Sequence, residues 1–499
     1  MKISIAVLQK SRTLTWFTAM TLFAVLAMTV QGQSQKITTF DVPGAGTGAY
    51  QGSGGWGITP ASGHTVKVPP PNGVDDTANI QGALNKCVKY GSGCTVQLQA
   101  GTYFTKQVVV HNFQGTFKGM GMDNTTIEAL PNLPVTNLTV TSCQPNLTNC
   151  IWPGLFEFVD GKISVSDLSI EITAVPATLP WTDEVDTNTH TMLYDVLGFM
   201  GQHPTDVTID RIRMEGQPSA LSTDFGYNVT NGVHYSGELP RSPARFDYYF
   251  LSGSFTVQSS FFNNLFVAVS QDAFSKSSQV TIGGSPSAGN HVENTCGGLD
   301  MEASENSAFE ISYNESSGTC AGMWVVPAWV PFVPSSPSSY LIHENKFVGT
   351  GQNADGMYLL DDASNPWIQA AVWNNTAEVQ ASLSEGIGVY NTDGTVVWNN
   401  IVTGSDGTDG IGLWSTTLDA VTNNNVSGFT VDSTVGLAQI YLDPYTTYDL
   451  VVCAEPSNTV LNQGTNNTII GCQQSTASAV AATSAARPNL LRKKPLMPQ

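Results

Sequence analysis

The sequence predicts a right-handed parallel β-helix, a coil of short parallel strands, and three observations predict it. Asn264, Asn290, Asn314, Asn345, Asn375, Asn400 and Asn425 recur at separations of 26, 24, 31, 30, 25 and 25 residues. A second column runs in the same period: segments beginning at Gly298, Gly322, Gly356, Gly386, Gly410 and Gly436, spaced 24, 34, 30, 24 and 26. Each segment alternates apolar with variable residues, the period of a strand with one buried face. The third observation is an amphipathic helix placed where an open coil needs a lid.

Taking the chain in order, Lys2, Lys10 and Arg12 precede the apolar run Leu14 to Val30, which ends in Val30-Gln31-Gly32. That pattern reads as an export signal over 1–32, with an uncleaved anchor as the alternative. No later segment could cross a membrane, so the protein is expected to be secreted, periplasmic or at the cell surface. Residues 33–67 are rich in Gly, Ser and Thr and read as an irregular leader. Asp75-Asp76-Thr77 offers helix caps before Ala78 to Tyr90, where Ile80, Leu84, Cys87 and Val88 fall on one face. Thr95 to Leu98, Gly101 to Phe104 and Val108 to Val110 read as the first strands, and the coil is expected over 68–474. Residues 475–499 are Ala, Ser and Thr rich and then basic, without an apolar face, and read as a disordered tail.

Repeats of this length stack so that each strand pairs with its equivalent one turn away and the apolar column fills the bore. An asparagine recurring at one corner can run a ladder of amide hydrogen bonds along the axis, so these asparagines read as structural. The eight cysteines fall into local couples, Cys87/Cys94, Cys143/Cys150, Cys296/Cys320 and Cys453/Cys472. An even count in an exported chain fits an oxidising compartment, and none of the spacings is that of a zinc site.

The formal charge is −20, and 13 Lys and Arg face 40 Asp and Glu once the cations of the signal and tail are set aside. Such a body repels nucleic acid and anionic lipid, so neither is an expected partner. The partner expected is a polysaccharide, met by a monomer.

The run Gly73-Val74-Asp75-Asp76-Thr77-Ala78-Asn79-Ile80-Gln81, followed by Val96-Gln97-Leu98-Gln99-Ala100-Gly101-Thr102-Tyr103, resembles the capping helix and first turn of the pectate-lyase-like superfamily, with Gln99 where Pro is more usual. The resemblance covers 68–474 and implies the fold. It leaves the chemistry open, because the superfamily holds lyases, hydrolases, epimerases, tailspikes and adhesins. Asn391-Thr392-Asp393-Gly394 is similar to the NTD motif of the polygalacturonases, but no DD follows one turn on, and GHG and RIK are missing. No catalytic residue of that family is therefore transferred.

Three constellations could carry chemistry. Arg211, Arg213, Arg241 and Arg245, with His234 among them, lie within 35 residues between two long polar stretches. Alternation places Arg211 and Arg213 outward, where guanidinium groups could bind uronate carboxylates while His234 or another Arg removes a proton. The same arginines could instead pin loops to nearby acids. Asp300 and Glu302 alternate outward in one strand, with Glu305, Asp355, Asp361 and Asp362 nearby. Paired carboxylates suit glycoside hydrolysis or could ligate Ca²⁺, although the cofactor is unknown and chance clustering is common among so many acids. Trp324 and Tyr358 share one outward position, Tyr390 and Trp414 another, and Trp373 and Trp398 stack; such rings can bind sugars or be covered by loops. The expectation is a carbohydrate-active protein, lyase or hydrolase, on an extracellular acidic polysaccharide; the alternative is a non-catalytic glycan-binding or structural β-helix.

Overall fold

Every strand of the coil pairs in parallel with the strand one turn on, so the backbone hydrogen bonds of one turn are completed by the next. The computed structural model describes residues 63–130, 154–172, 193–200, 203–216, 229–236, 238–242, 245–248, 252–271, 276–302, 304–326, 335–351, 354–362, 367–380, 384–404, 409–429 and 438–475. The chain divides into Met1–Gly57 and Ile58–Gln499, and the described residues belong to the second unit. The predicted cysteine couple Cys143/Cys150, the signal, most of the leader and all but the first residue of the tail lie outside them.

One turn consists of three strands separated by three corners. The register runs through the first sheet from Thr65–Lys67 to Thr468–Ile470, each strand aligned with its neighbour without slippage, as in Tyr340↔Ala370 and Val372↔Val397. The second sheet begins at Gly101–Thr105 and ends at Asn425–Ser427. The third carries the strands His291–Glu302 and Glu315–Val326, which bend through a corner from the second sheet, and then Asp355–Leu360, Glu385–Tyr390, Asp409–Trp414 and Ala438–Leu442. Inward residues such as Met323, Met357, Ile387, Ile411 and Ile440 form one buried file. Fully burying a side chain of this kind contributes about 1.5–3 kcal/mol.

The lid is the helix α1 (Thr77–Tyr90), whose Ile80, Ala83, Leu84 and Cys87 are buried and which ends at Gly91 with φ +79°. Asp75 Oδ1 accepts the Thr77 N–H, while buried Asp76 accepts from Asn72 N–H, so the two acids divide the work of fixing the helix start. The disulfide Cys87–Cys94 ties α1 to the first full turn, and Cys296–Cys320 and Cys453–Cys472 join neighbouring turns.

The first corner carries the amide ladder, with two members corrected. Asn290, Asn314, Asn345, Asn375 and Asn400 each donate N–H and Nδ2–H to the Oδ1 of the next asparagine, and the last acceptor is Asn424. Asn425 is the next residue and is exposed; in the run Asn423-Asn424-Asn425 a spacing near 25 does not choose among the three. At the other end Ser260 takes the rung below Asn290, whereas Asn264 sits at the second corner with φ +55° and donates to Glu215. The glycine column also shifts at its last member: Ile411 aligns with Ile440, so Gly410 faces Gln439 and not Gly436.

Candidate functional site

The register gathers most of the predicted site residues on the outer face of the third sheet. His234, Ser270, Asp300, Trp324, Tyr358, Gly388, Gly412 and Tyr441 align in one column over successive turns. Beside it runs a column holding Glu302, Val326, Leu360, Tyr390 and Trp414. For His234 only the backbone position is described.

The rings are closely coupled: Tyr358–Tyr390 at 4.8 Å, Tyr390–Trp414 at 5.8 Å and nearly parallel, and Trp414–Tyr441 at 4.8 Å. Gly388 and Gly412 make this possible, because a Cβ there would come within 2.7 Å of Tyr390 and 2.6 Å of Trp414. Trp324, Tyr390 and Tyr441 are buried, and Tyr358 and Trp414 half-buried. Of the two alternatives, sugar-binding rings or covered ones, the burial of Trp324, Tyr390 and Tyr441 favours covered rings, and Tyr390 stacked on Trp414 offers a ligand mainly its edge.

A third column on this face was passed over as a unit. Ala321, Asp355, Glu385, Asp409 and Ala438 succeed one another, and all three acids are buried. Asp355 Oδ1 accepts the Glu385 N–H at 2.8 Å and Asp409 Oδ1 the Ala438 N–H at 2.9 Å. Glu385 receives Tyr390 O–H on Oε2 at 2.9 Å and Trp414 Nε1–H on Oε1 at 3.0 Å. Burial, then the Glu385 and Asp355 charges, push the Tyr390 phenol well above its ordinary value; burial and the same two acids do so for Tyr358. The signal was present in the chain: Asp355-Gly356, Glu385-Gly386 and Asp409-Gly410 repeat an acid directly before the glycine in three consecutive recurring segments. Asp300 and Glu302 do point to the outer face, but they are buried there, not exposed.

The arginines lie elsewhere. Arg211 is not part of a regular alternation: its φ is +50°, it occupies the first corner, and its guanidinium is paired with Asp167 and Asp210. Arg213 is on the second sheet, paired with exposed Asp123 at 2.9 Å. Arg241 and Arg245 belong to the antiparallel strands Glu238–Ser242 and Arg245–Tyr248, and their side chains lie outside the description. Glu305 pairs with Lys276 and accepts from Ser335, and Asp361 accepts the Trp367, Ile368 and Asp362 N–H groups. Burial outweighs those donors and raises Asp361 to about 7. Asn391 and Thr392 of the NTD run also serve a corner, Thr392 donating to Asp419. Among the described residues no group of three or more His, Cys, Asp or Glu is arranged to hold a metal ion, and no helix is long and apolar enough to cross a membrane.

Neither a protein-family model nor a curated protein sequence matches the chain. Solved structures match at low identity: the A-module of the mannuronan C-5 epimerase AlgE6 of Azotobacter vinelandii, 10% identical over 81% of this chain and 96% of that one, TM-score 0.43. The Dettilon tailspike protein is 12% identical over 79% and 69%, TM-score 0.41. PfbA, a surface adhesin of Streptococcus pneumoniae, is 12% identical over 83% and 92%, TM-score 0.40. The fold is a right-handed parallel β-helix. It is carried by this chain's own register, three sheets paired turn upon turn beneath a helical lid.

Proposed function

We propose that this is an exported, carbohydrate-active β-helix protein that hydrolyses a polysaccharide on the outer face of its third sheet. The observation that carries the reading is the column Asp355, Glu385 and Asp409, three buried carboxylates on successive turns among Tyr358, Tyr390 and Trp414. Burying carboxylates is costly, and a coil can place apolar residues in the same column, as Ala321 and Ala438 do here. Strand spacing of about 4.8 Å sets neighbouring members one strand apart and the outer two about twice that. Those separations bracket the ranges used by retaining and inverting glycosidases, about 5 to 9.5 Å. Glu385, held by two donors, suits the role of the ionised base, and Asp355 or Asp409 that of the acid.

Electrostatics favours an uncharged glycan. Among the described third-sheet residues from Val267 onward there is no Lys, Arg or His, and Arg211 and Arg213 are already engaged with acids. Export is supported by the cation-led apolar run and by the three disulfides.

The test is a panel of neutral and uronate polysaccharides, followed by reducing ends and, separately, by the absorbance of unsaturated products. Reducing ends should appear from a neutral polymer, and Glu385→Gln should lower turnover about 100-fold or more in a protein that remains folded. Unsaturated products would replace hydrolysis by elimination. Binding without turnover would leave the non-catalytic glycan-binding reading standing instead.

A further inference from the structure

The third corner, where the third sheet hands the chain back to the first, carries its own ladder near the C-terminal end. Thr395 donates its N–H to Asp419 Oδ1 at 2.8 Å, Asp419 its N–H to Asp449 Oδ1 at 2.9 Å, and Asp449 its N–H to Asn467 Oδ1 at 2.9 Å. Lower in the coil the same step is made by hydroxyls, from Ser278 to Ser307 and from Ser307 to Ser338. The second oxygen of each aspartate meets a threonine hydroxyl at 2.5 Å, Thr392 for Asp419 and Thr416 for Asp449. At the last rung an amide takes the carboxyl's place, and Asn467 Nδ2 donates to the Thr446 carbonyl. Asp419 and Asp449 are each 1% exposed and stand one strand apart.

Among the described residues nothing cationic stands against them. From Phe347 to Ala486 the sequence has 13 Asp and Glu and no Lys, Arg or His. The titratable groups on the packed corners are Asp393, Asp443, Tyr445 and Tyr448, the two tyrosines exposed. Two buried like charges a strand apart, without a counter-charge, are best relieved by a proton. A protonated carboxyl sets one donor beside an acceptor oxygen, as the amide at Asn467 sets its Nδ2–H beside Oδ1.

We propose that Asp419 and Asp449 form a proton-operated latch: with the pair protonated the last turns of the coil are closed, and as the pH rises and both carboxyls ionise those turns loosen. Burial and then the Asp449 charge push the Asp419 carboxyl up, and burial raises Asp449 to about 6. The sign follows from the direction. The folded chain holds these protons more tightly than the unfolded chain, so the added stability is complete below the unfolded value near 4 and is lost as the pH passes upward through the folded values.

Hydrogen exchange of the full chain, corrected for intrinsic rates and read from pH 5 to pH 8, tests the latch. Protection over Asp443–Ile470 should fall about tenfold or more, while strands several turns away along the axis, such as Ala308–Ser312, keep theirs. In Asp419→Asn or Asp449→Asn, which fix the amide state, protection at pH 8 should match the native value at pH 5. A native protein without this pH dependence overturns the latch. So does a dependence that survives in both variants, or an amide variant whose last turns are open at every pH.

Discussion

Asn345 sits at the middle of the first-corner ladder and accepts both donors of Asn314 while sending its own N–H and Nδ2–H to Asn375. Alanine there leaves the buried Asn314 N–H without its acceptor, while Nδ2 keeps the Ile282 and Ser312 carbonyls, at a cost of about 1–3 kcal/mol. Asn374, its neighbour on the turn above, belongs to an exposed file with Asn399 and Asn423, linked by similar amide bonds. There alanine should change stability by less than about 1 kcal/mol, because water replaces the lost partner. Denaturant midpoints of the two variants measure the difference. Arg213→Ala breaks an ion pair whose acid is 80% exposed, so its stability should change by less than about 1 kcal/mol and glycan turnover not at all. The period of the asparagines was legible in the chain, but the member of an adjacent pair or triplet that faces the corner was not. That choice depends on which residue adopts φ near +55°, as Asn374, Asn399 and Asn423 do, and so turns its successor inward.

The third-sheet strands Asp355–Leu360, Glu385–Tyr390 and Asp409–Trp414 each carry an inward glycine as their second residue, and the geometry explains why. A Cβ on Gly386 would lie 2.1 Å from Val402 Cγ1 and 2.6 Å from the Gly410 carbonyl, and Gly356 and Gly410 repeat the approach to the carbonyl above. Gly386→Val should therefore cost about 1–3 kcal/mol through overpacking, visible as a lower midpoint with unchanged slope. Gly394 is a useful contrast: its φ is +83° but a Cβ would meet nothing within 4 Å, so Gly394→Ala costs only the backbone strain, about 1 kcal/mol. At this scale most of the structure was readable, because period, alternation and the cap helix are local patterns. Register after an insertion was less so, which is why the glycine column slips at Gly436. The acid column went unread because its members are separated by whole turns and each resembles an isolated surface acid until the turns are stacked.

For the whole molecule, two sets of described carboxyls act on stability with opposite pH signs. Asp361, raised to about 7, and Asp449, raised to about 6, bind protons more tightly in the folded chain. Asp167, held down by Arg211, and Glu315, held down by Lys346, bind them less tightly. Melting temperature should therefore rise as pH falls from 8 to about 5, and turn downward below about 4, where the paired acids lose their charge. A thermal scan series at constant ionic strength checks both limbs. Exchanging Cys296 and Cys320 for Ser opens a link across 24 residues and should cost about 3 kcal/mol at every pH, since no proton is involved.

The absence of cations between Phe347 and Ala486 also gives the coil a direction in an electric field. All described Lys and Arg lie on earlier turns, so among the described residues negative charge accumulates toward the C-terminal end of the axis while the turns nearer the lid are partly compensated. Two such coils approaching side by side repel most where their C-terminal ends coincide and least where each such end lies beside the other's lid. Encounters at low ionic strength are thus biased toward antiparallel alignment, a bias that 0.15 M salt confines to within about 8 Å.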